Sequence, residues 1–144
     1  MSQQIIAYGA TVERSTDGTT YTAIPECDSV VIPTVTTDYA EVTNLDSPNG
    51  FKEYIKGLKD AGEITLPMGY TTAGYTAMLA DQSAADAIYY RVTLKLAPGQ
   101  ATSGDIFEFR GFPTPSVEAG GLGEPIKINV AIRTTGDVTY TAGA

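Results

Sequence analysis

Acid–base chemistry in this chain would have to rest on its carboxylates. The 144 residues hold no histidine and one cysteine, against 17 Asp and Glu and nine Lys and Arg. A carboxylate becomes a working general acid when an apolar cleft or a second carboxylate raises its pKa. The carboxylates here stand beside bases or in turn-like segments: Asp60 follows Lys59, Glu53 follows Lys52, and Glu108 alternates with Arg110 on one strand face. Such neighbours leave them solvated and ordinary. Cys27 has no histidine to serve as base or co-ligand and no second thiol to join, so it reads as structural. Asp46, Asn49, Gly50 and Glu53 form the best set for a cation, but their spacing fails the alternating ligands and distant bidentate Glu of an EF-hand. The clusters GYTTAG and AGGLG lack the strand-to-helix setting and the Lys-Ser/Thr pair of a phosphate loop, and read as turns. Nine tyrosines could offer stacking platforms to a sugar; there is no Trp, however, and Tyr70, Tyr75 and Tyr90 fall on faces expected to be buried. The residues predict no enzyme, no metal and no cofactor. A carbohydrate-binding β-sandwich is the module-class alternative.

Charge narrows the partners. At −8 with a pI near 4.3, the chain lacks the excess of Lys and Arg that drives non-specific binding to phosphate backbones. No run of 18 apolar residues offers a membrane span, and MSQQIIAYGA lacks the basic and apolar regions of a signal peptide, so synthesis and folding in cytosol are expected. The length suits one domain, 1–144.

The elements that must position these residues are mostly strands. TVERSTDGTTYTAI reads as a hairpin around Asp17-Gly18. DSVVIPTVTTDYAEVTNL is β-branched from Val30 to Thr37, with Pro33 marking an edge or bulge. GEITLPMGYT alternates Ile64, Leu66, Met68 and Tyr70 onto one face. The period then changes: Tyr75, Met78 and Leu79 recur at helical spacing behind a Thr71 or Thr72 cap, giving one helix laid against a sheet. IYYRVTLKL, DIFEFRGF and EPIKINVAIRTT set Ile88, Tyr90, Val92, Leu94 and Leu96, then Phe107 and Phe109, then Ile126, Ile128, Val130 and Ile132 inward. Each fully buried aliphatic side chain contributes roughly 1.5–3 kcal/mol. PTPSVEAGGLGEP between the last two reads as a flexible connection with a short β segment at most, and residues 1–9 and 136–144 as flexible arms. Many short strands and one helix predict a mainly β fold: a β-sandwich or partly closed barrel with one flanking α-helix.

The segment NLDSPNGFKEYIKGLKDAGE, from Asn44 to Glu63, fits none of these strands. It gathers four carboxylates, three lysines and two aromatics, and residues 44–62 are expected to form a long loop. Asp46, Ser47, Gly50, the Lys52-Glu53-Tyr54-Ile55 run, Gly57-Leu58-Lys59-Asp60 and Gly62-Glu63 closely resemble a segment of the tail tube (major tail) proteins of long-tailed, lambda-like siphophages. The likeness extends to the strand ending in Gly69-Tyr70, to a helix near Tyr75–Gln82 and to Gly111, Phe112 and Pro113. It covers about Thr36 to Thr135.

The resemblance implies a structural virion protein, assembled in the host cytoplasm into stacked hexameric rings that form the virion tail tube. Its implied partners are copies of itself, tail tip or initiator and terminator proteins, a tape measure protein, and double-stranded DNA that transits without specific binding. The tube of a contractile tail or injection system is the near alternative. Asp46, Gly50, Phe51, Lys52, Glu53, Tyr54, Ile55, Leu58, Lys59 and Asp60 would then make inter-subunit contacts, with apolar anchors for energy and charges for register. Glu63, Glu108 and Glu124 are candidates to face a DNA-repelling lumen.

Overall fold

The computed structural model describes residues 5, 8–24 and 27–144. Among these residues eight strands and one α-helix follow in chain order: β1 (Thr11–Ser15), β2 (Thr22–Ala23), β3 (Thr36–Glu41), β4 (Tyr54–Asp60), β5 (Glu63–Gly69), α1 (Thr72–Ser83), β6 (Ile88–Thr93), β7 (Ile106–Glu118) and β8 (Lys127–Thr141). Six strands join in the antiparallel order β2-β1-β6-β7-β8-β5, while β3 and β4 pair only with each other.

The six-stranded sheet is curled, and its covalent connections show why. Ala23 pairs in β2 at one edge of the sheet, yet Cys27 already bridges to Met68 in β5 at the opposite edge. Four residues of extended chain span at most about 14 Å. The two edges are therefore brought together, and the sheet forms a partly closed half-barrel around its apolar face. Of the alternate residues expected from the sequence, Leu66, Met68, Ile88, Tyr90, Val92, Phe109, Ile128, Val130 and Ile132 are buried in one cluster, and Val12 of β1 joins them. Strand ends diverge from it, with Tyr70, Leu96 and Ile126 exposed, because the strands stop at Gly69 and Thr93 and begin at Lys127.

Closure stays partial because of proline. Pro67 turns its carbonyl to the outer edge of β5, where it accepts the Asp28 N–H at 3.1 Å. In an antiparallel strand its nitrogen points the same way and has no hydrogen to give. The β-branched run Val30–Ile32 therefore does not zip onto β5 as a strand. It packs half-buried on the core, Pro33 is buried in irregular chain, and the next strand begins only at Thr36.

Two further segments are more ordered than their composition suggests. Pro113 and Pro115, read above as part of a flexible connection, lie inside β7 opposite Ile132 and Val130. Thr134 donates to the Gly62 carbonyl at 3.0 Å, so the alternate residues Ile132 and Val130 also turn their backbone groups toward β5. The two prolines thus occupy positions where β8 needs no N–H, and β6 has ended at the level of Gly111. Nor is the carboxy-terminal segment a loose arm. Val138 to Thr141 continue β8 after an irregularity at Gly136, and the Ala144 carbonyl accepts the N–H groups of Ala101 and Thr102 at 2.8 and 2.9 Å. Of the other expected arm, 1–9, most residues lie outside those described.

Helix α1 starts where Thr71 Oγ1 accepts the Gly74 N–H at 3.0 Å. Replacing Thr71 by alanine is expected to cost about 1 kcal/mol of unfolding free energy in a urea titration, since a first-turn donor loses its partner. The buried face of the helix is Gly74, Met78 and Asp81; Leu79, expected to be part of it, is exposed.

Three carboxylates are held below the usual range by donors that fix turns. Asp17 accepts the Thr20 and Thr19 N–H groups and the Ser15 hydroxyl, Asp105 the Gly143 N–H and the Gln100 amide, and Asp60 the Gly62 N–H and Arg133. A depressed folded-state pKa stabilises above the unfolded value near 3.9 and loses that contribution as pH falls through the folded value. Thermal stability is accordingly expected to be level near neutrality and to fall below about pH 4, measured by melting across pH 2–7.

Candidate functional site

The segment expected to be a loop is half strand. β4 runs from Tyr54 to Asp60, antiparallel to β3, and the pair projects as a two-stranded ribbon. Alternation is hidden in YIKGLKD because neither face of the ribbon is buried: every residue of β4 is exposed. Cross-strand pairing of Tyr39 with Lys56 and of Glu41 with Tyr54 sets these four on one face and Ala40 and Ile55 on the other; a bulge opposite Asp38 then shifts the register, and Lys59 pairs with Thr37. A two-stranded ribbon with both faces in water is marginally stable on its own. It gains stability when a partner covers it.

The tip of the ribbon, 42–53, is fixed by its own hydrogen bonds. Val42 donates to the Glu53 carbonyl at 2.8 Å, and the Glu53 N–H to Thr43 Oγ1 at 2.8 Å. Ser47 Oγ donates to the Glu53 carboxylate at 3.0 Å and accepts the Asn44 N–H at 3.0 Å. Asn49 and Gly50 then take consecutive left-handed conformations, φ 56° and 71°, which asparagine and glycine tolerate best. The result is a bonded cap that holds Leu45 and Phe51 out in solvent.

This ribbon therefore brings all ten predicted contact residues together. Asp46, Gly50, Phe51, Lys52 and Glu53 lie in the tip, and Tyr54, Ile55, Leu58, Lys59 and Asp60 in β4. Phe51 is 70% exposed, Tyr54 54% and Leu58 85%. Two of the ten face inward in role: Glu53 braces the tip, and Asp60 binds Arg133 at 3.1 Å, anchoring the ribbon's base to β8. The sequence reading missed Tyr39 and Leu45, both exposed on the same ribbon. The place of Tyr39 opposite Lys56 was the available signal, but it shows only once β4 is known to be a strand.

The three lumen candidates do not converge. Glu63 and Glu108 share the polar face of the six-stranded sheet, whereas Glu124 lies in the turn before β8, where its carboxylate accepts the Gly121 N–H at 3.1 Å. Register gives that face its charge. Glu13, Arg91 and Glu108 align across β1, β6 and β7, with Arg110 beside Tyr89, Arg133 opposite Glu63, and Lys127 opposite Glu118. Five carboxylates, Glu13, Glu63, Glu108, Glu118 and Asp137, thus share the face with four cations.

Burial, reinforced by Asp28, pushes the Cys27 thiol up to about 11, so it is protonated at neutral pH. Among the described residues no group of three or more His, Cys, Asp or Glu is placed to hold a metal. No described helix is long and apolar enough to cross a membrane.

The fold recurs in solved structures. The chain superposes on one from an extracellular contractile injection system, the PVC sheath/tube terminator in its extended state, with TM-score 0.73 and 14% identity over 98% of this chain and 99% of that one. A chain of the six-fold symmetrised anti-feeding prophage baseplate gives 0.70 and 9% over 99% and 98%. A chain from the tail of an empty GTA particle, refined with C6 symmetry, gives 0.62 and 16% over 92% and 95%. No protein-family model matches the sequence, and no curated protein does. The protein has the fold of subunits from phage-like tails and contractile injection systems.

Proposed function

We propose that this protein is a structural subunit of a tail tube, polymerising as stacked hexameric rings within a phage or phage-like particle. The observation that carries this reading is the ribbon: a self-bonded, two-sided projection that exposes Tyr39, Leu45, Phe51, Tyr54, Ile55 and Leu58. Six large apolar side chains on one arm are costly in water and are covered when the arm lies on a neighbouring copy. Self-association is thus the primary interaction, with initiator, terminator and tape measure proteins as the other partners and DNA as the transiting cargo. The particle is assembled in the host cytoplasm and the subunit resides in the virion tail.

Two kinds of tube are compatible with this subunit. The siphophage reading rests on the sequence likeness of 46–63. A contractile tail or injection system is supported at least as well, because two of the three solved structures above belong to such systems and have the higher TM-scores, 0.73 and 0.70. Negative-stain electron microscopy of the concentrated protein, with light scattering on the same sample, tests both. Hollow tubes or six-fold rings are expected. A protein that stays monomeric even with tail tip components would refute the tube, and co-assembly with a sheath protein would select the contractile reading.

A further inference from the structure

The chain holds three asparagines, Asn44, Asn49 and Asn129, and only Asn49 precedes a glycine. A backbone nitrogen can attack the carboxamide of the asparagine before it, and a Cβ on the attacking residue hinders the approach. Gly50 has no Cβ, and the space one would fill is open. The other two sites are hindered twice over. Asn44 precedes Leu45, and its carboxamide accepts the Asp46 N–H at 2.8 Å. Asn129 precedes Val130 and is paired within β8, opposite Pro67 and Ser116. Asn49, in contrast, is exposed, and its carboxamide makes no hydrogen bond among the described residues. The fold imposes one restraint. Asn49 is the one described residue other than glycine with positive φ, and at ψ 22° the Gly50 nitrogen is turned away from the carboxamide. Attack therefore waits until the ribbon's tip opens. That tip is held by hydrogen bonds alone: from 42 to 53 no residue is fully buried, Ser47 and Glu53 being half-buried, and Ser47 Oγ carries two of the bonds. Segments without buried apolar contacts open at small cost in free energy.

We propose that Asn49-Gly50 is a site of spontaneous covalent modification, gated by the cap that Ser47 and Glu53 form over the tip. The Gly50 nitrogen loses its proton to solvent and bonds to Asn49 Cγ; the Cγ–Nδ2 bond breaks, Nδ2 takes up a proton and leaves as ammonia, and a succinimide ring closes. Water then opens the ring. Cleavage between the nitrogen and Cγ restores the main chain with an aspartyl side chain, which a left-handed turn accepts. Cleavage between the nitrogen and the main-chain carbonyl carbon instead routes the backbone through Cβ and Cγ. The added methylene breaks the register of the cap that presents Phe51. Both products add a negative charge to a tip that already carries Asp46 and Glu53. One consequence rests on the tube reading: the ribbon is covered in the polymer, so assembly halts the reaction, and free subunits lose their competence to join as they age.

Timed peptide mapping by mass spectrometry tests it, on dilute, unassembled protein held at mildly alkaline pH. The free peptide of residues 44–54 serves as the uncapped reference, and an isoaspartyl methyltransferase assay counts the rearranged product. Conversion is expected at Asn49 ahead of Asn44 and Asn129, and more slowly than in the peptide. Ser47→Ala, which removes two bonds of the cap, should speed it roughly fivefold. Asn49→Gln should abolish it. Circular dichroism confirms the fold of each variant; should Ser47→Ala disturb it, Thr43→Ala removes the acceptor of the Glu53 N–H instead. An intact Asn49 in the parent after the peptide has fully converted, faster conversion at Asn44 or Asn129, or a rate in the folded cap variant equal to the parent's would overturn the proposal. Failure of the tube reading is recorded separately, as absence of rings in micrographs of the fresh, concentrated parent.

Discussion

Replacing Phe51 and Tyr54 together by alanine is expected to leave the monomer's melting curve unchanged and to raise the concentration needed for polymerisation about a thousandfold. Both side chains are mostly in solvent and neither belongs to the core cluster, so their loss falls within the few tenths of a kcal/mol typical of surface changes. Aromatic anchors that become buried at an interface are worth about 2 kcal/mol each. At 1.4 kcal/mol per factor of ten, that is roughly thirtyfold per residue and about a thousandfold for two that act independently. Light scattering against concentration measures the threshold, and circular dichroism reports the fold. An unfolded variant would place the two residues in a core; an unshifted threshold would remove the ribbon from the interface.

Asp81→Ala should do the opposite, destabilising the subunit itself rather than its assembly. Asp81 is buried on the inner side of α1 and receives both Arg14 Nε and Arg14 Nη2 in a forked pair, with side-chain exposures of 2% and 17%. Removing one partner strands a desolvated guanidinium against the apolar sheet, which costs about 3–5 kcal/mol. For a chain of this size that is a fall of roughly 10 °C in Tm. Replacing both partners by apolar residues, Arg14→Met with Asp81→Leu, is expected to recover most of the loss, because neither charge then has to be desolvated. A single-variant Tm within 2 °C of the parent would show that the pair is dispensable. The α1 helix buries only Gly74, Met78 and Asp81, so this ion pair is much of what seats it.

The core was legible in the sequence because it obeys a period of two in strands with one dry face. Ile88, Tyr90 and Val92, like Ile128, Val130 and Ile132, alternate against polar neighbours, and the capped helix between Thr71 and Ala84 announces itself by a change of period. What failed were segments whose order comes from pairing alone. β4 has no dry face, so YIKGLKD shows no alternation; Pro113 and Pro115 hide a strand that places them where no donor is required; and the end of β8 has too few apolar residues to signal its register. The opposite error, a strand expected at Val30–Ile32, came from side chains that pack on the core without a donor-bearing edge to join. The ten residues proposed for contact lie together on the ribbon because they are nearly contiguous in the chain. The clustering of charges on the polar sheet face escaped notice because its members come from five strands and meet only through register.

The prolines have a consequence for how copies of this chain can adhere. Pro67 blunts the outer edge of β5, and Pro113 and Pro115 blunt the part of β7 that β6 leaves open. Bare sheet edges recruit other chains indiscriminately and seed fibrils. A subunit that must polymerise at high concentration in a crowded cell is most exposed to that hazard, since the concentration that favours the ordered polymer also favours amyloid. By withholding hydrogen-bond donors along these edges of the large sheet, the chain closes them to that route of association.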